Sequence, residues 1–426
     1  MPRLASLTSQ TLLGLGITRG VSLIFTLDNP NPFGTSADDW FGALVDIDGN
    51  LIITSAFQED DAGGLTSGKA YIYNATTGAL LHTLDNPNPF GTSDGDRFGY
   101  SVAISGNYAI VGANREDDAG GTDSGKAYIY NATTGALVHT LDNPNAFGTS
   151  ADDRFGEAVA IDGDRAIVGA FQEDDASGTS SGKAYIFNVT TGALVHTLDN
   201  PTPIFSGTND WFGRSMDISG DRCIVSAWNE SNAAGEFGSG KAYIFNVTTG
   251  ALVHTLDNPD PFGSDFSDLF GYSLSMSGNY AIVGCVNDLD SPAGGVNSGK
   301  AYIFNVTTGD LVYTLDNPNP FGTSQSDNFG VSVSMSGNYA IVGAYQEDDA
   351  GGLSSGKAYV FKTTVGDWTD TTLIDTLDNP NAFGTSAGDN FGRKVSISGN
   401  RCIVGAYLED AGENASGIAY VYKLPS

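Results

Sequence analysis

The sequence predicts an all-β chain closed into a seven-bladed β-propeller, with four antiparallel strands in each blade. Three observations carry that prediction. First, Phe-Gly recurs in fixed context at Phe41, Phe98, Phe155, Phe212, Phe270, Phe329 and Phe391, at spacings of 57, 57, 57, 58, 59 and 62 residues. Second, each unit holds four short strand-like runs cut by turn residues, and radial repetition of four-stranded units is propeller arithmetic. Third, the two ends complement each other. An extra fourth strand, SLIFTLDN at 22–29, precedes the first unit, and the last unit stops after its third strand, IAYVYK at 418–423. The N-terminal strand therefore completes the last blade, which removes the free edges that an open solenoid would have to cap.

The elements read in order along one unit. FGYSVAI at 98–104 alternates as a first strand, and Gly-Asn then suits a tight hairpin. YAIVGA is apolar nearly throughout, the mark of a strand buried on both faces. A long segment, NREDDAGGTDSG, leads to a third strand, KAYIYN. The turn ATTG and a fourth strand, ALVHTLDN, follow, and PNAFGTSAD leads to the next unit. Strand direction alternates, so the turns after strands one and three share one face of the disc. The long segments after strands two and four share the other. The chain divides into an N-terminal tail, 1–20, and the propeller, 21–426.

Composition bounds the function. The 426 residues include 56 Gly, and 40% of the chain is apolar, enough for a packed core. The net charge of −31 disfavours nucleic acid and anionic membrane surfaces. No apolar run approaches the roughly 18 residues of a membrane-spanning helix, so membrane insertion is not expected. Three cysteines give neither a disulfide framework nor a zinc motif, and Cys223 and Cys402 take a repeat position held elsewhere by Ala109 and Ala166, as small buried residues.

DRFGYSVAISGNYAIVGA and its six siblings resemble the FG-GAP repeats of integrin α-subunits and of bacterial and phage proteins. The resemblance covers residues 22–424. The nearest likeness is to the bacterial variety, in which an acidic loop precedes SGxAYVF, as in EDDAGGLSSGKAYVF at 347–361. Integrin repeats often carry a DxDxDG calcium loop between strands one and two. Here that turn is short, as in IDGN, and Asp46 and Asp48 are a remnant of it at best. Integrin calcium sites therefore do not carry over. In integrins the equivalents of the long segments form the ligand face, so the resemblance implies a binding or structural module; the absence of a histidine that could converge on a nucleophile, and carboxylates that repeat with the blades, argue against an enzyme.

Binding residues usually sit in loops on a rigid scaffold. The candidate face is therefore the acidic long-segment side: Glu59, Asp60, Asp61, Glu116, Asp117, Asp118, Glu173, Asp174, Asp175, Glu347, Asp348 and Asp349. An Asp also stands two residues before every Phe: Asp39, Asp96, Asp153, Asp210, Asp268, Asp327 and Asp389. These either accept backbone hydrogen bonds in the loops or ligate calcium, the hard cation such oxygen-rich loops would suit. The four histidines, His82, His139, His196 and His254, occupy one position in the outer strands of separate blades and cannot converge. The N-x-Thr sites at Asn74, Asn131, Asn188, Asn246 and Asn305 read as turn chemistry. Blades four and five replace the acidic loop with WNESNAAGEF and VNDLDSPAGGV, marking either a specific site or drift.

Residues 1–20 lie outside the repeats, contain no acidic residue, and read poorly as a signal peptide. They weakly resemble N-terminal segments of marine phage structural proteins. The expectation is a virion surface or tail-associated protein that is extracellular after lysis. It would meet other virion proteins through the tail, with Arg3, Leu12, Leu13 and Leu15 as contacts, and a host receptor or glycan through the loops. The alternative is a bacterial cell-surface adhesin. Both termini should leave from the short-turn face. The insertion at 362–372 adds Trp368 to that face, as an interface anchor or as packing against its own blade.

Overall fold

The computed structural model describes residues 20–30, 37–61, 64–87, 93–118, 121–144, 150–174, 178–201, 209–231, 238–260, 268–288, 298–318, 326–348, 352–380, 387–410 and 415–425. Among these residues the chain forms 28 strands in seven four-stranded antiparallel sheets, and no helix. Blade one is typical: Val45–Asp48, Leu51–Ala56, Lys69–Asn74 and Leu80–Asp85, hydrogen-bonded in chain order. The last blade holds Val395–Ser398, Arg401–Ala406, Ile418–Lys423 and, outermost, the N-terminal Ser22–Asp28. Ser22 pairs with Lys423 and Asp28 with Ile418, so the ring closes as expected.

The second and third strands are buried almost throughout, and the core lies between neighbouring sheets. Ile53, Ala70 and Ile72 of blade one pack against Phe98, Val102 and Ile104 of blade two. An equivalent cluster at the seam joins Ala419 and Val421 to Phe41 and Ile47.

The Phe-Gly dipeptides lock adjacent blades. All seven Phe are fully buried. The Phe98 ring lies 5.8 Å from Tyr128 and 6.2 Å from Tyr130, while its N–H donates to the Ser67 carbonyl of the preceding blade at 2.9 Å. Gly99 has φ +90°, and a Cβ there would stand 2.8 Å from the Lys69 carbonyl oxygen and 2.9 Å from Ser55 Cβ. Only glycine meets both demands. The seam uses the same lock, Phe41 N–H to Ser416 O at 3.0 Å. The first strand varies in length between blades. It begins at Phe only in blades two and five, Phe98–Ser105 and Phe270–Ser277, where the register slips after Phe.

Further links encircle the disc at the inner and outer strands. Asp46 accepts from Ile104 N–H at 2.8 Å and Asp217 from Met276 N–H at 2.6 Å, each in the next blade. Ser334 accepts from Ile397 N–H at 3.1 Å, and Ser396 donates to Asp46 at 2.7 Å across the seam. Asp46, read from sequence as the remnant of a calcium loop, is thus an inter-blade strut. At the rim, His82, His139, His196 and His254 each place Nε2 2.9–3.0 Å from a threonine carbonyl of the next blade. A carbonyl only accepts, so Nε2 carries the proton.

Both ends of the propeller lie on the short-turn face, as expected. Ser22 neighbours Lys423, and Leu424 N–H donates to Asn400 O in a first hairpin. Trp368 does not serve as an exposed anchor. It is fully buried within the cluster that holds Tyr359 and Phe361 of its own blade, because the 363–371 insertion folds back over that sheet. Arg3, Leu12, Leu13 and Leu15 lie outside the described residues. Cys223, Cys285 and Cys402 are buried free thiols.

Candidate functional site

The acidic loops are mostly occupied with holding themselves together. Glu59, Glu116, Glu173 and Glu347, expected on a binding face, are fully buried. Each accepts a hydrogen bond from the third-strand tyrosine of its own blade: Tyr71, Tyr128, Tyr185 and Tyr359, the last three at 2.5–2.6 Å. The other blades do the same through Glu230, Asp288 and Glu409, each 2.6 Å from its tyrosine. Blades four and five therefore keep the motif although the EDD pattern is absent from their sequences. Insertion and residue exchange had hidden it, since the Tyr–carboxylate separation drifts from 12 to 13 and 14 residues. Burial pushes Glu59 and Glu116 up to about 7 and Glu173 and Glu347 up to about 8, opposed by the tyrosine hydrogen bonds.

The first Asp of each acidic loop closes the loop. Asp60, Asp117, Asp174 and Asp348 accept from backbone N–H groups six residues on, at 2.8–2.9 Å. Asp61 and Asp118 accept from Gly64 and Gly121 N–H three residues on. Asp175 and Asp349 lie outside the described residues. The aspartates before each Phe are also buried: Asp39, Asp96, Asp153, Asp210, Asp268, Asp327 and Asp389 each accept from the amide of an Asn ten residues earlier, at 2.8–3.0 Å. Among the described residues no group of three or more His, Cys, Asp or Glu is arranged to hold a metal ion. The N-x-Thr asparagines close their own turns, as with Asn131 Oδ1 and the N–H groups of Thr133 and Thr134 at 3.0 and 2.9 Å.

What does not repeat lies elsewhere, in three columns of the alignment of blades. The residue before Phe-Gly is Trp40, Arg97, Arg154, Trp211, Leu269, Asn328 or Asn390. All seven sit at φ between 56° and 59°, a region that suits only the two asparagines among them. The residue after Phe-Gly is Ala43, Tyr100, Glu157, Arg214, Tyr272, Val331 or Arg393, and the one after the second strand is Phe57, Asn114, Phe171, Trp228, Val286, Tyr345 or Tyr407.

All seven residues of the column after Phe-Gly meet at the hub, with Trp40 and Arg97 from the first column and Phe57, Trp228 and Tyr407 from the third. A cavity of about 450 Å³, within the range of small-molecule sites, takes lining residues from all seven blades at the long-segment end of the inner strands. Its walls carry Arg97, Arg214, Arg393 and Lys394 against one carboxylate, Glu157. Glu157 is held by Arg214 and by the Asn114 amide, both at 2.6 Å. An aromatic girdle surrounds them. Trp40 meets Phe57 and Tyr407 at 5.5 Å, Phe57 meets Tyr100 at 5.2 Å, and Trp228 meets Trp211 at 4.9 Å and Tyr272 at 5.4 Å.

The hub is positive within a strongly negative chain. Elsewhere the cations are largely neutralised: Lys69, Lys126, Lys183 and Lys357 pair with Asp85, Asp142, Asp199 and Asp378, and Arg165 and Arg222 with the aspartates before them. At the hub, Arg97, Arg393 and Lys394 have no carboxylate within ion-pair distance among the described residues, although Asp46 and Asp217 act on Lys394, and Glu157 on Arg97, from beyond it. Burial together with Arg115 and Arg154 lowers Arg97. Burial raises the Tyr272 phenol, but Arg393 and Arg214 outweigh it and hold the group below its ordinary value. Arg393 Nη2 lies 3.5 Å from Tyr272 Oη, and its guanidinium sits 5.0 Å above the Tyr345 ring.

Sequence reading missed this site because it looked for chemistry in what the blades share. The available signal was the opposite one: three variable columns in an otherwise repetitive alignment.

Comparison with known proteins agrees with the architecture. No curated protein matches the chain. The FG-GAP repeat family matches it seven times, over residues 33–73, 91–130, 146–187, 206–245, 263–304, 322–361 and 382–422, one match for each blade. The chain belongs to the FG-GAP repeat family.

Proposed function

We propose that this propeller is a non-catalytic binding module that takes its ligand at the hub cavity. The observation that carries this reading is that the variable residue after Phe-Gly reaches one pocket from all seven blades, joined there by Trp40, Arg97, Phe57, Trp228 and Tyr407 from the other two variable columns. A rigid scaffold with one non-repeated concave site suits recognition. The cavity's one carboxylate is tied to Arg214, and the histidines are committed at the rim, so no acid–base pair faces the pocket among the described residues.

The setting we propose is a virion surface or tail-associated protein, attached through residues 1–20. Support comes from the two ends of the propeller, which lie together on the face opposite the cavity mouth. A body held there would present the hub outward.

The test immobilises the protein through an N-terminal tag and presents it with arrayed glycans and cell-surface proteins. Binding is expected to fall at least tenfold in the Arg97→Ala/Arg393→Ala variant, which leaves the Arg214–Glu157 pair intact, at unchanged melting temperature. Binding that survives that variant but is lost when Asp60, Asp117, Asp174 and Asp348 are replaced would put recognition on the loops. Turnover of a bound glycan would make the protein an enzyme.

A further inference from the structure

Resting on the reading of the hub as the binding site, we infer that its ligand is a single carboxylated sugar ring, entering end-on at the terminus of an otherwise neutral glycan. The argument has three parts.

Charge comes first. The hub gathers Arg97, Arg393 and Lys394 without an ion-pair partner among the described residues, in a chain whose net charge is −31. Cations that outnumber the carboxylates lining a cleft focus the local field toward anions, and here four cations line the cavity with Glu157. Arg393 is backed by Tyr345 under its guanidinium plane and by Tyr272 at its edge, which orients the fork for a planar, bidentate acceptor such as carboxylate.

Shape comes second. A bare inorganic anion would need the cations alone. The pocket is also walled by Trp40, Phe57, Tyr100, Trp228, Tyr272 and Tyr407, and its volume of about 450 Å³ exceeds what a small ion requires. Flat apolar walls beside fixed polar groups suit a ring with an apolar face and a charged substituent.

Surroundings come third. Asp117 and Asp174 on the encircling loops are exposed, and Asp60 and Asp348 are half-buried. A polyanion lying across this face would meet like charge along its length, whereas one carboxylate delivered into the hub meets mainly cations. This favours a terminal acidic sugar over an acidic peptide or a uniformly charged polymer.

Trp40 and Trp228 line the site and Trp211 packs on Trp228, so intrinsic fluorescence reports on it, and calorimetry gives the affinity. The probes are an oligosaccharide ending in glucuronate, the same oligosaccharide with that carboxyl reduced to the alcohol, inorganic phosphate, and an aspartate-rich peptide. The expected result is saturable quenching by the glucuronate-ended probe, at least tenfold tighter than by its reduced form or by phosphate. Arg393→Gln should weaken the charged probe at least tenfold and leave the reduced one unchanged. Trp228→Phe, a milder change, should weaken both. Equal binding of charged and reduced probes, both weakened by Trp228→Phe, overturns the carboxylate assignment while leaving the hub as a binding site. Tighter binding of the peptide overturns the sugar assignment. No saturable response to any probe, in protein of unchanged melting temperature, also overturns the inference, and the array experiment then decides separately whether the hub binds anything.

Discussion

Residue by residue, the fold places demands that propensity alone would not suggest. The position before each Phe-Gly is held in the left-handed region by backbone hydrogen bonds, such as Arg97 N–H to Thr66 O at 3.2 Å and Leu269 N–H to Gly238 O at 3.0 Å. Non-glycine residues there store strain on the order of 1–3 kcal/mol each, and such strain tends to persist at functional sites. Arg97→Asn is therefore predicted to raise stability by about 1 kcal/mol, because Asn tolerates this conformation. Denaturant unfolding checks it, and a loss of stability would show that the Arg97 side chain contributes more than its backbone costs. The buried Tyr–carboxylate pairs give a second prediction. Tyr359→Phe leaves Glu347 buried without its donor and should cost about 1–3 kcal/mol at pH 8. The cost should shrink at pH 5, where Glu347, raised to about 8, is protonated in either variant.

At the scale of elements, blades are joined by three kinds of link at three radii. Side chains of the inner strands accept from the next blade's backbone, Phe-Gly meets Ser-Gly in the middle, and histidine meets a threonine carbonyl at the rim. The middle link should dominate, since it joins buried apolar surface to fixed backbone geometry. Gly99→Ala is predicted to be severely destabilising, because the added Cβ meets the Lys69 carbonyl and Ser55 within 3 Å. His139→Ala should cost about 0.5–1.5 kcal/mol, the net worth of one hydrogen bond. Comparable melting temperatures for the two variants would contradict this ranking.

For the whole molecule, closure and charge set the behaviour. Deleting residues 1–29 removes the outer strand of the last blade and exposes the edge of Ile418–Lys423, so aggregation or loss of cooperative unfolding is expected. A truncated monomer with unchanged melting would refute closure. Stability should also depend on pH. Glu59, Glu116, Asp217 and Asp327, raised to about 7, and Glu173, Glu347 and Asp96, raised to about 8, bind protons in the folded state well before their counterparts do in the unfolded chain. Their contribution is full below the unfolded values near pH 4 and is lost as pH rises through 7–8, so the melting temperature should fall from pH 5 to pH 8.5.

The fold was legible because repetition exposes it. Strand alternation, the Phe-Gly spacing and the complementary ends each survive without tertiary information. The site was less legible. Glu59 and its equivalents look like surface acid in the string EDD, and only the opposing tyrosine, 12 residues on, shows that they are buried. Trp368 looks exposed until its loop folds back. The hub residues stand some 57 positions apart and become neighbours only when the ring closes.

The central claim is that a positive, aromatic hub sits inside a negative protein, and the most direct measurement is tryptophan quenching by iodide and by caesium at low ionic strength. Of the four tryptophans, Trp368 is buried, while Trp40, Trp211 and Trp228 are half-exposed around the cavity. With each ion scaled to its quenching of free tryptophan amide, the account predicts that iodide quenches more strongly than caesium despite the net charge of −31, and that Arg393→Gln narrows the difference. Caesium quenching as strong as iodide or stronger, as the overall charge alone would dictate, would contradict it.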